Sequence, residues 1–139
     1  DIGNIEVLNN MVNSVPDWLW VLGNHDPEIP LEIAGGSLFS LKKDNLLLVH
    51  EPEDLRQSGN ASGTIEAQIV GHFHPKMRIK KSGHTMSGKC FVVDHDILLM
   101  PAFGQYTGGL SIEHKVIKRM LGEKSSEYLL YAQKIFNIK

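Results

Sequence analysis

The sequence contains a single cysteine, Cys90. One thiol forms no internal disulfide and supplies no cysteine cluster for a structural zinc, so the composition favours a reducing, cytoplasmic setting. Cys90 lies within "KCFVV" and reads as a core residue. Long apolar runs are also missing: none approaches the roughly 20 residues that span a bilayer. The first ten residues, "DIGNIEVLNN", have neither a basic segment nor the apolar core of a secretion signal. An excess of one charge is absent too. The net charge of −2 creates no field that would recruit nucleic acid or an anionic membrane, so any such partner must be held by a local patch.

What is present describes a globular protein. The 139 residues are 42% hydrophobic and 22% charged, enough to bury a core and the size of one domain, read as 1–139. One arrangement recurs: a short apolar run that ends in a polar cluster. It appears as "WLWVLGNHD" (residues 18–26), "NLLLVHE" (45–51) and "QIVGHFH" (68–74). Such runs, bounded by Gly, Asn or Asp, read as buried strands whose C-terminal ends carry the polar groups, where open α/β sheets place ligands. A fourth run, "DILLMPAFG" (96–104), ends without such groups.

Between these runs the pattern is simpler. Ile5, Leu8, Val12 and Val15 recur at helical spacing with Pro16 as a stop, predicting an amphipathic helix before the Trp18 strand. The stretch "PEDLRQSGNASG" is loop-like, and from Met77 onward "KMRIK", "CFVV", "DILLM" and "YLLYAQKIFNI" read as strands. "SIEHKVIKRMLG" predicts a short helix ending at Gly122.

The chemistry lies in the polar clusters. On a strand, residues two apart share a side, so His72 and His74 would aim at one place, and Pro75 would hold His74 extended. His50 adds a third imidazole, Asn24 an amide oxygen, and Asp26 and Glu51 carboxylates. A nitrogen and oxygen donor set without thiolate suits Mn²⁺, Fe or Zn²⁺ in an open hydrolytic site.

These blocks, "GNHD" (23–26), the strand-end His50 and "GHFH" (71–74), resemble in order and type three blocks of the calcineurin-like metallophosphoesterases. "PAFGQYTGG" (101–109) is similar to a segment of the ligase-associated DNA-damage phosphoesterase or endonuclease subgroup. The resemblance implies an α/β fold, a four-layer α-β-β-α sandwich with two mixed sheets. It implies a phosphoesterase acting on mono- or diesters, nucleotides and nucleic acids included, through two divalent metal ions, Mn²⁺ first among them. Carried over by position, Asn24, His50 and His72 would bind the second metal and His74 the first. His25 would contact the phosphate and protonate the leaving oxygen, and Asp26 would orient its ring. The family pattern also opens with an Asp-x-His block, which has no counterpart before Asn24. Asp1 is therefore read as the bridging aspartate, with the first strand cut off. The competing reading is a non-catalytic interaction scaffold with a degenerate site.

Other histidines read as surface or turn residues. His84, His95 and His114 do not follow buried runs, and Asp94-His95-Asp96 reads as a hairpin turn. Lys76, Arg78 and Lys80 alternate with Met77 and Ile79, which suits either an edge strand protected by cations or a contact with a phosphodiester backbone; the edge reading is preferred.

Overall fold

The computed structural model describes residues 2–55, 65–81, 83–104, 107–122 and 124–138, with the side chains of Ile2, Gly3 and Lys81 excepted. Its elements are α1 (Ile2–Asn13), β1 (Leu19–Val21), β2 (Gly36–Leu38), β3 (Ser40–Lys43), β4 (Leu46–Val49) and β5 (Ala67–Val70). They continue with β6 (Lys76–Lys81), β7 (His84–Val93), β8 (Ile97–Leu99), α2 (Lys115–Met120), β9 (Ser126–Tyr131) and β10 (Lys134–Asn137). The fold is α/β, as the sequence implies. Among the described residues there are two sheets, but they are unequal and only the larger is mixed. Eight strands form that sheet in the order β10-β9-β7-β8-β5-β4-β3, with β6 paired to β7. The smaller one is the parallel pair β1-β2.

In the large sheet β4, β5 and β8 run parallel, so their C-terminal ends share one edge. That edge carries His50, the Gly71-His72 turn and Met100-Pro101, each following the last residue of its strand. β3, β7 and β9 run antiparallel to their neighbours. Alternation along these strands sends Val70, Leu99, Val92 and Leu129 to one face, where Ile117 of α2 is wholly buried against them. Cys90 belongs to this core, as expected.

The helix predicted before Trp18 is α1. Its Asn9 clamps the following segment: the side-chain amide donates to the Glu32 carbonyl at 2.7 Å, and the Ala34 N–H donates to Asn9 Oδ1 at 2.8 Å. Trp20 closes the same turn by donating its indole N–H to the Ala34 carbonyl at 2.9 Å.

The sequence pattern did not reveal β2 and β3, and these two strands place β1. β2 runs parallel to β1 and stops at Leu38, opposite Val21. After one residue, Phe39, the chain enters β3, which starts at Ser40 opposite Val49 of β4. The Leu22 N–H donates to the Leu38 carbonyl at 2.9 Å and extends this corner. The C-terminal ends of β1 and β4 therefore meet, although they belong to different sheets. Three-residue runs such as "GSL" bury too little to show a period, which is why the sequence hides them.

Candidate metal centre

At the end of β1 the chain turns tightly through "GNHD", and the Gly23 N–H donates to the Asp26 carbonyl at 3.2 Å. At the end of β4 the His50 carbonyl accepts from both Gly71 N–H at 3.2 Å and His72 N–H at 3.0 Å, tying the two parallel strands together one residue beyond the ladder. Buried Gln68 pins the chain after His50: its amide donates to the Glu53 carbonyl at 3.0 Å and its oxygen accepts from the Glu53 N–H at 2.9 Å. His50 is thus held from both sides.

The side chains then converge on one atom. His50 Nε2 stands 2.9 Å from Asn24 Oδ1 and 3.1 Å from His72 Nδ1. The two rings meet edge to face, with centroids 5.1 Å apart and planes at 81°. An imidazole nitrogen carries one proton or one lone pair, so it satisfies only one of two such neighbours. A cation among the three atoms would serve all of them. Ligands about 2.1 Å from a metal and at right angles to one another lie about 3 Å apart, which matches both separations. The described donors therefore fit a divalent ion of the borderline class. They are two imidazoles and an amide. Among the described residues no group of three or more His, Cys, Asp or Glu side chains is gathered to hold a metal. Glu51 adds a carboxylate, with Oε1 3.7 Å from His72 Nδ1. Asp1, expected to bridge, lies outside the described residues.

Gly23 leaves room for this arrangement of the His50 ring. A Cβ there would stand 2.8 Å from His50 Nδ1, inside contact distance.

His74 departs from the expected extended geometry. β5 ends at Val70, residues 72–73 turn, and His74 takes the left-handed conformation with φ 47°. On either side of it Phe73 packs against the core and Pro75 is wholly buried. The two imidazoles are thus presented by a turn anchored at both its apolar residues. The segment 107–112 is zipped onto that turn: Leu110 N–H donates to Phe73 O at 3.1 Å, Lys76 N–H to Leu110 O at 2.8 Å, and Ile112 N–H to Lys76 O at 2.9 Å. A Cβ on Gly109 would lie 2.2 Å from the His74 carbonyl oxygen, so only glycine fits. The "GG" at 108–109 was the available signal for this contact. The His74 ring hydrogen-bonds the Gly108 backbone.

His25, His50 and His74 line a cavity of about 550 Å³ together with Asp26. Its apolar wall is Leu8 of α1, Trp20, Ile29 and Ile33, and the residues after β8, Ala102 and Phe103, close another side. The strand run without ligands thus still builds the site. An adjoining cavity of about 650 Å³ is lined by His25, His50, His72, His74 and Thr107. Burial and then the neighbouring His72 lower the pKa of His50. Burial also lowers that of His74, against the opposing pull of its Gly108 hydrogen bond. Neutral imidazoles are the form that ligates metals. His25 and Asp26 are exposed side by side at this rim; Asp26 joins the described hydrogen bonds through its backbone carbonyl.

The remaining histidines lie on other parts of the fold. His114 caps α2, its Nδ1 accepting from the Val116 N–H at 3.3 Å. His95 sits in the β7-β8 turn, where Asp94 accepts from the His95 and Gly122 N–H groups, and exposed His84 opens β7.

The sequence matches no protein-family profile and no curated protein. The structure is similar to the crystal structure of a Pseudomonas putida nuclease, MPE, with a TM-score of 0.68 and 22% sequence identity over 99% of this chain. The match covers 61% of the nuclease chain, so this chain spans less than two thirds of its length. The likeness establishes a common fold.

Proposed function

We propose that the protein is a divalent-metal-dependent phosphoesterase of the calcineurin-like type, acting on phosphate esters that include nucleotides and nucleic acids. The observation that carries this reading is the convergence of Asn24 Oδ1 and His72 Nδ1 on His50 Nε2. The common fold with a nuclease is consistent with it. Asn24, His50 and His72 would hold one ion, and His74, with the carboxylate expected from Asp1, the other. Once bound, such ions supply Lewis acidity at the phosphoryl oxygens and acidify water, with Mn²⁺ the first choice and Fe or Zn²⁺ also suited.

The chain's own residues do the rest. His25, exposed at the cavity rim that His50 and His74 share, would meet a phosphate oxygen and give a proton to the departing alkoxide. Asp26 stands beside it with an exposed carboxylate, suited to orient the ring once substrate draws His25 inward. The walls of Trp20, Ile29 and Ile33 exclude water from one side and strengthen polar contacts inside. We read residues 1–139 as one catalytic domain working in a reducing, cytoplasmic setting. No described helix is long and apolar enough to cross a membrane.

The test is hydrolysis of bis-p-nitrophenyl phosphate and p-nitrophenyl phosphate with Mn²⁺, alongside a metal count. Turnover that His72→Ala abolishes supports the proposal. No turnover, with fewer than one tightly held ion per chain, would leave the non-catalytic scaffold.

A further inference from the structure

β6 and β7 form an antiparallel hairpin in which Lys76 lies opposite Lys89, Arg78 opposite Ser87, and Lys80 opposite Thr85. Residues directly opposite share a face. The other face is turned to the core: Met77 is buried, and Ile79 and Met86 pack against it. The outward face therefore carries four cations and two hydroxyls. No ion pair joins any of these four cations to a carboxylate among the described residues.

Protection of an edge strand explains cations on β6. It does not explain Lys89, which lies on the inner strand β7 directly across from Lys76. Like charges set opposite each other on a sheet are unfavourable, and neither ammonium is offset by a carboxylate among the described residues. The two ammonium groups reach the segment that walls the candidate metal centre. Lys76 Nζ donates to the Thr107 carbonyl at 3.3 Å, and Lys89 Nζ to the carbonyls of Gly104 and, at 3.4 Å, Phe103. Thr107 and Phe103 in turn line the cavity that holds His25, His50 and His74. From that cavity Lys76, Arg78 and Lys80 lead away at intervals of two strand residues, about 6.6 Å, close to the phosphate spacing of an extended nucleic-acid strand. With a net charge of −2, the protein has no general attraction for polyanions that could substitute for this row.

We propose that the outward face of the β6-β7 hairpin holds the phosphodiester backbone of a nucleic acid, guiding the strand toward the candidate metal centre. The inference deepens the phosphoesterase reading and rests on it for what happens at the end of the track. Arg78 and Lys80 are exposed, so Arg78→Gln with Lys80→Gln removes two charges without touching the core.

The experiment measures binding of a fluorescent 20-mer, single-stranded and duplex, in EDTA across a salt series, for the parent, the double variant and the charge-keeping Arg78→Lys, Lys80→Arg pair. The expected result is binding about 10-fold weaker in the Gln variant for whichever form the parent binds. The slope of log K against log salt should fall by about 1.4 for single strands or about 1.8 for duplex, and the charge-keeping pair should restore both. Absence of binding by the parent, or an unchanged affinity in the Gln variant, overturns the proposal. Hydrolysis of bis-p-nitrophenyl phosphate with Mn²⁺ is the second readout, expected within about twofold of the parent in the Gln variant. Charge-dependent binding without hydrolysis in the parent would retain the track and reject the phosphoesterase reading; hydrolysis without charge-dependent binding would do the reverse.

Discussion

His50 and His72 meet through their ring nitrogens, Nε2 of the one 3.1 Å from Nδ1 of the other, although 22 residues separate them in sequence. Parallel pairing of β4 with β5 sets the two rings together, and the His50 carbonyl fixes the distance by accepting from Gly71 and His72. The contact is therefore a property of the sheet edge.

Removing either ring should disable the centre. Partners that merely orient a metal ligand are worth about 10- to 100-fold, so loss of a ligand itself should cost at least about 100-fold in kcat/KM. His50→Ala and His72→Ala are expected to do this while also lowering bound Mn²⁺ per chain. Metal analysis with stopped-time hydrolysis assays checks both. A variant that keeps its metal and its rate would remove that residue from the site.

Two glycines should fail in different ways. In Gly23→Ala the new methyl meets the His50 ring, which can swing aside, so the expected loss is about 10- to 100-fold in metal affinity with little change in melting temperature. In Gly109→Ala it meets the His74 carbonyl, part of the backbone, and the strain should cost roughly 1–3 kcal/mol of stability. Calorimetry beside metal titration separates the two cases.

Cys90 should be inert. Burial, and then the charge of Glu127, push its thiol above its ordinary value, up to about 12. Iodoacetamide at neutral pH is expected to label the unfolded chain and spare the folded one. The same shift sets a pH dependence. Between about pH 9 and pH 12 the unfolded thiol gives up its proton while the folded one keeps it. Cys90 therefore stabilises the fold fully below that window and less as pH rises through it. Urea unfolding across this alkaline range should be flatter for Cys90→Ala than for the parent.

Ile117 anchors α2 on the large sheet with no exposed surface. Ile117→Ala should lower stability by about 2–5 kcal/mol. Activity per folded molecule should hold, because Ile117 lines neither of the two cavities at the candidate centre. Loss of activity at a temperature where the variant is still folded would show that α2 supports the site.

Local pattern alone revealed a good part of this protein. Apolar runs of strand length marked β1, β4, β5 and β8, helical spacing marked α1, and polar clusters at the run ends marked Asn24, His50, His72 and His74, because burial and periodicity are written in neighbouring residues. The turn at Asp94-His95-Asp96 was legible on the same ground.

Long-range pairing decided the rest. The corner from β2 through Phe39 to β3 brings the end of β1 to the end of β4, and no short-range signal announces which strand a three-residue segment will join. At His74 a local rule gave way: the residue before proline favours extended backbone, yet between core-packed Phe73 and buried Pro75 the chain takes a left-handed turn instead. The opposition of Lys76 to Lys89 arises only from the β6-β7 register. Sequence by itself determined which residue types stand at each strand end, since that depends on adjacent side chains. Tertiary structure decided which of those ends meet, since that depends on hydrogen bonds between segments far apart in the chain.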